Sequence, residues 1–158
     1  MTRIKTYAVL ATLLSITCDA EVPKGAGALL GSWEFDSGES MFDGAMPYRS
    51  GTYTFSNTSE GVRVVAHIIE GNGQVLHFEY VDRQDGTFVH VTGNPFYDSE
   101  STQWSGAGVA TRSEQRNGKV TGKTDMTVSM DGKSLTASAS RTLPDGRRYI
   151  SKIVWRRR

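Results

Sequence analysis

Cysteine is nearly absent from this chain: Cys18 is the single example among 158 residues. A disulfide framework is excluded, and everything beyond Cys18 lacks thiol chemistry. Charge of one sign is missing too, since 18 basic residues face 17 acidic ones. No global field would draw the chain to nucleic acid or to an anionic membrane. The one apolar run of note, Tyr7–Ile16, is too short to span a bilayer. Proline is scarce (4) while glycine is plentiful (17), a balance that suits many tight turns.

The first twenty residues read as a targeting segment. Arg3 and Lys5 form a basic start, Tyr7–Ile16 an apolar middle, and Cys18-Asp19-Ala20 a small-residue end of the kind a signal peptidase cuts. Cleavage after Ala20 is therefore expected, with export to the periplasm or the outside. Leu14-Ser15-Ile16-Thr17-Cys18 also resembles a lipobox, with its leucine one place early and Thr17 in place of a smaller residue. Acylation of Cys18 would then tether the domain to a membrane. Without residues 1–20, sixteen basic and sixteen acidic residues remain.

Residues 21–30 read as a linker with one helical turn at Ala26–Leu30, and residues 31–158 as one domain. Period-two alternation and turn dipeptides dominate from Gly31 onward. Strands are expected at 33–36, 51–56, 62–69, 75–81, 87–92, 102–104, 109–116, 119–130, 133–142 and 147–156. Ser37–Pro47 reads as a long loop across an open barrel end. Asp85-Gly86, Asn117-Gly118, Asp131-Gly132 and Asp145-Gly146 are strong hairpin signals. The fold class that follows is all-β: an antiparallel up-and-down meander closing into a barrel of about 8–10 strands, which leaves no exposed edges.

Pairing His67 with His77 across Gly71-Asn72-Gly73 puts Val62, Val64, Ala66, Ile68, Leu76, Phe78 and Tyr80 on one apolar face. Val89 and Val91 continue it. That face should be the interior, with Trp33, Phe35, Tyr53 and Phe55 lining or filling it. The outer face then carries Arg63, His67, His77, Glu79 and His90.

Gly31-Ser32-Trp33 resembles the Gly-x-Trp start of lipocalins and their calycin relatives. Leu76–Tyr80, Val91-Thr92-Gly93-Asn94-Pro95 and Asp131–Leu135 are similar to segments of small exported bacterial lipocalin-like proteins, mostly without assigned function. The resemblance spans nearly all of residues 31–158. It implies a barrel whose closed end is plugged by Trp33 under a late arginine, Arg156 or Arg157. Activity it implies only loosely, because one fold hosts many functions.

Motifs for chemistry are weak. His67, His77 and Glu79, with His90 further off, form a candidate metal cluster, though exposed polar residues on an outer face is the simpler reading. Asp131-Gly132-Lys133-Ser134 has the letters of a phosphate loop but lacks its upstream glycine and its helix. No Gly-x-Ser-x-Gly elbow supports acyl transfer. Asp98 and Glu100, with Asp36, Glu39 and Asp43, could ring a barrel mouth or simply be solvated loop carboxylates.

The function that follows is an exported binding module for a small apolar molecule, without cofactor. Its cavity candidates are Tyr53, Val64, Ala66, Ile68, Leu76, Phe78 and Tyr80. Two alternatives remain open: a small barrel-mouth enzyme, with or without a metal, and a filled structural or partner-binding barrel. Oligomeric state is not legible.

Overall fold

The computed structural model describes residues 25–43, 48–143 and 145–158. The targeting segment, Cys18 and the first part of the expected linker lie outside the described residues. A single 3-10 turn, Ala26–Leu29, is followed by ten strands. They are β1 (Gly31–Asp43), β2 (Tyr48–Thr58), β3 (Gly61–Glu70), β4 (Val75–Asp82) and β5 (Val89–His90). The second half contributes β6 (Ser99–Gly106), β7 (Val109–Arg116), β8 (Lys119–Val128), β9 (Ser134–Thr142) and β10 (Arg148–Arg157).

The sheet order is β4-β3-β2-β1-β10-β9-β8-β7-β6-β5, all antiparallel. First and last strands join through β1 and β10, so the meander curls into a nearly closed barrel. The remaining seam lies between β4 and β5, crossed by one isolated bridge from Glu79 to Thr92, just beyond β5. Asp85-Gly86 is therefore not a hairpin turn. Asp85 instead bridges Gln103, and Asp85 Oδ1 accepts from the Thr87 backbone. Asn117-Gly118 does close the β7–β8 hairpin, with positive φ at both residues (51° and 73°) as a type I′ turn requires. Asp131-Gly132-Lys133-Ser134 is a turn as well, its Asp131 accepting from Ser129 and from the Lys133 backbone.

His67 does pair with His77, and the interior face is the expected one: Val62, Val64, Ala66, Ile68, Leu76, Phe78 and Tyr80 are all buried. One expectation fails on the first strand. Ser37–Asp43 belongs to β1, which resumes pairing with β10 at Met41–Lys152 after a bulge. The bulge is held by side chains. Asp36 Oδ1 accepts from the Gly38 and Glu39 backbones, and Ser40 Oγ joins the Asp36 carbonyl to the Val154 N–H. The helical turn expected at Ala26–Leu30 is the 3-10 turn, which packs as a plug into the barrel's lower end with Ala26 and Leu29 fully buried.

Candidate functional site

Trp33 closes that lower end. Its indole is 0% exposed and donates from Nε1 to the Leu29 carbonyl at 2.8 Å. The arginine above it is Arg157, whose guanidinium carbon lies 4.2 Å from the ring centroid. Of the two tail arginines considered, Arg156 is therefore not the closing residue. Trp33 sits opposite Arg157 in the β1–β10 ladder, and Arg156 opposite Glu34. Arg156 accordingly points outward and binds Asp36 at 2.9 Å, with Glu39 beside it.

Above the plug is a cavity of about 50 Å³. Tyr53, Ile68, Leu76 and Phe78 line it, as expected of them. Val64, Ala66 and Tyr80 are buried but do not border it. They pack into the core below and beside it. Tyr53 is the centre of the aromatic wall, stacked on Phe55 and edge-on to Trp155 at 4.8 Å and Phe78 at 6.0 Å. A wider hollow of about 390 Å³, bordered by Glu60, Val81, Arg83 and Val89, lies outside the seam and is open.

Two buried ion pairs enter the barrel from the second half of the chain. Arg141 of β9 forks onto Glu114 of β7, with Nε to Oε2 and Nη2 to Oε1 both 2.6 Å. The same guanidinium lies 5.6 Å from the rings of Phe96, Tyr97 and Tyr149. Gly122 of β8 makes this possible: a Cβ there would come within 2.4 Å of Glu114 Oε2. The second pair is looser. Arg112 Nη1 stands 3.5 Å from Glu100 Oε2, while Arg112 Nε and Glu100 Oε1 are buried without a hydrogen-bond partner.

Electrostatics follow from burial. Burial pushes the Glu100 carboxyl up to about 7, against the pull of Arg112, and neighbouring Asp82 pushes the same way. Asp82 is itself raised by burial, although Thr102 and the Gln84 N–H bind its carboxylate. Burial also raises the phenols of Tyr53, Tyr80 and Tyr97, which keeps them as O–H donors at neutral pH.

The outer-face candidates do not converge. His67 and His77 face each other with ring centroids 6.1 Å apart, but Arg63 binds Glu79 at 2.7 Å, and His90 is paired with Ser99. Among the described residues no group of three or more histidine, cysteine or acidic side chains could hold a metal. The acidic ring at the mouth is not formed either. Asp98 accepts from the Asn117 N–H, Asp36 is turned outward, and Glu100 is inside β6.

Arg112, Glu114, Arg141 and the inner role of Glu100 were missed in the sequence because inward positions were sought among apolar residues. The available signal was the strand alternation itself: Ala110, Arg112 and Glu114 share one face of β7.

Fold and interior together define a β-barrel with a small cavity walled by aromatics and by two buried arginine–glutamate pairs. Among solved structures the chain is similar to zebrafish ileal bile acid-binding protein complexed with cholic acid. The two share 12% identity and a TM-score of 0.49, over 83% of this chain and 99% of that one. No family model matches the chain, and no curated protein matches it.

Proposed function

We propose that this chain is an exported barrel that takes a small, largely apolar molecule into its interior. The observation that carries the reading is the cavity itself. It combines an aromatic and aliphatic wall with a few fixed polar groups, the usual division of labour in a ligand site. Export is supported by the ordered basic, apolar and small-residue regions of residues 1–20.

At about 50 Å³ the cavity is closed down around space for a few waters. A larger guest must displace side chains at the upper end, where Phe96 and Tyr48 are only partly buried. The same volume favours a second reading, a filled structural barrel. Titration with Nile red, an uncharged apolar fluorophore, separates the two. Saturable binding is expected, and Ala137→Leu, which fills the cavity from β9, should weaken it by about tenfold or more. A wild-type barrel that binds no apolar probe is the structural one.

A further inference from the structure

We infer that the preferred guest is uncharged and carries a hydroxyl or carbonyl oxygen, which Arg112 and the neighbouring phenols hold without any ion pairing. The inference rests on the ligand-binding reading and narrows it.

The argument is one of charge and of unmatched groups. Both interior guanidiniums already have a carboxylate: Glu114 grips Arg141 through two 2.6 Å bonds, and Glu100 faces Arg112. Asp82, fully buried near Arg112, adds a third carboxyl to the two cations. With Glu100 ionised, above about pH 7, an anionic guest would meet no free positive charge and would have to compete with Glu100 for Arg112. A cationic guest would have to sit beside Arg112 itself. Burying either without a partner is costly.

What Arg112 lacks is an acceptor at Nε, since Nη1 faces Glu100 and Nη2 donates to Met126 Sδ at 3.3 Å, while Glu100 Oε1 is left without a donor beside it. Arg112 borders the cavity, and its Nε–H has no partner. The Tyr53 and Tyr97 phenols, which also border it, remain protonated donors at neutral pH. A buried donor left without an acceptor destabilises the empty barrel, and a guest oxygen that reaches it as the enclosing side chains give way relieves that cost. An alcohol, ketone or amide oxygen does this with no change in net interior charge.

The test is displacement of Nile red by three probes of one chain length, 1-decanol, decanoate and decylammonium, near pH 8. Decanol is expected to displace the dye at about tenfold lower concentration than either ion. Glu100→Gln keeps the side chain's shape and removes the carboxylate opposite Arg112. In that variant decanoate should gain about tenfold or more relative to decanol. Decanoate binding as tightly as decanol to the wild type would overturn the inference, as would a decanol-to-decanoate ratio unchanged by Glu100→Gln. Either result would leave the ligand-binding reading standing, because the dye is still bound and displaced. No dye binding at all would remove that reading and this inference with it. Should Glu100→Gln fail to fold, the wild-type series decides alone.

Discussion

Trp33 shows how much one side chain can organise at a barrel end. Its indole is sealed between the Leu29 carbonyl and the Arg157 guanidinium. Arg157 in turn donates from Nε to the Gly132 carbonyl and from Nη2 to that of Ala28, both at 2.6 Å, and also reaches the Leu30 carbonyl. Gly31 has to be glycine here. Its φ is +122°, and a Cβ would stand 2.7 Å from Arg157 Nη1. Cutting Trp33 to alanine should cost about 3–5 kcal/mol of stability in a urea titration. Arg157→Lys should cost about 1–3 kcal/mol, because an ammonium cannot stack flat on the ring while serving three carbonyls. Arg156→Ala should stay under about 1 kcal/mol, since its partners are surface carboxylates. Equal losses for the two arginines would mean that the plug is not built around Arg157.

At the scale of strands, β7 and β9 meet through Glu114 and Arg141, across the intervening β8. Glu114→Ala leaves a buried guanidinium uncompensated and should destabilise by about 3–5 kcal/mol. Adding Arg141→Met to it should restore part of that loss, because it removes the stranded charge even though alanine at 114 leaves a gap. Double-mutant denaturation measures this directly, and additive losses would show that the pair is not coupled. These strands also explain what was legible in the sequence. The register of the β3–β4 hairpin could be read because the Gly71-Asn72-Gly73 turn pairs His67 with His77 and puts the inward positions from Val62 to Tyr80 on one apolar face, although Val65, Ile69 and Val75 are apolar on the other. Strands β7, β8 and β9 were placed by their turn dipeptides, but the inner faces of β6 and β7 were not recognised. Glu100, Thr102, Arg112 and Glu114 face inward there, and hydrophobic periodicity has no signal for an interior built on ion pairs. Arg156 and Arg157 point to opposite faces of β10, and Arg157 continues the inward face of Tyr149, Ile153 and Trp155, so the alternation of that strand carried the distinction. The Asp36–Met41 bulge was not legible, because the side-chain hydrogen bonds that hold it leave no pattern in hydropathy.

For the molecule as a whole, the charge enclosed by the barrel decides how stability responds to pH. Outer carboxylates such as Asp36, Glu79, Asp98 and Asp131 are held below their ordinary range by hydrogen bonds to arginine, backbone or hydroxyl groups. Whatever stability they add is present above about pH 4 and is lost only in stronger acid. Glu100 works in the opposite sense. Burial holds its folded pKa at about 7, against an ordinary value of 4.5. The folded protein therefore binds a proton that the unfolded chain releases between those two values. Stability from this group is complete below pH 4.5 and is lost as pH rises through 7. Asp82, also raised, adds a fall of the same sign at the acid side of that window. Chemical denaturation at a series of pH values should show the wild type losing about 2 kcal/mol between roughly pH 5 and 7.5 relative to Glu100→Gln. The difference profile matters more than either curve, because titrating groups far from residue 100 are common to both proteins and cancel. Parallel profiles would mean that Glu100 ionises in the folded barrel as it does in water. Its burial opposite Arg112 would then have been relieved by solvent entering the interior.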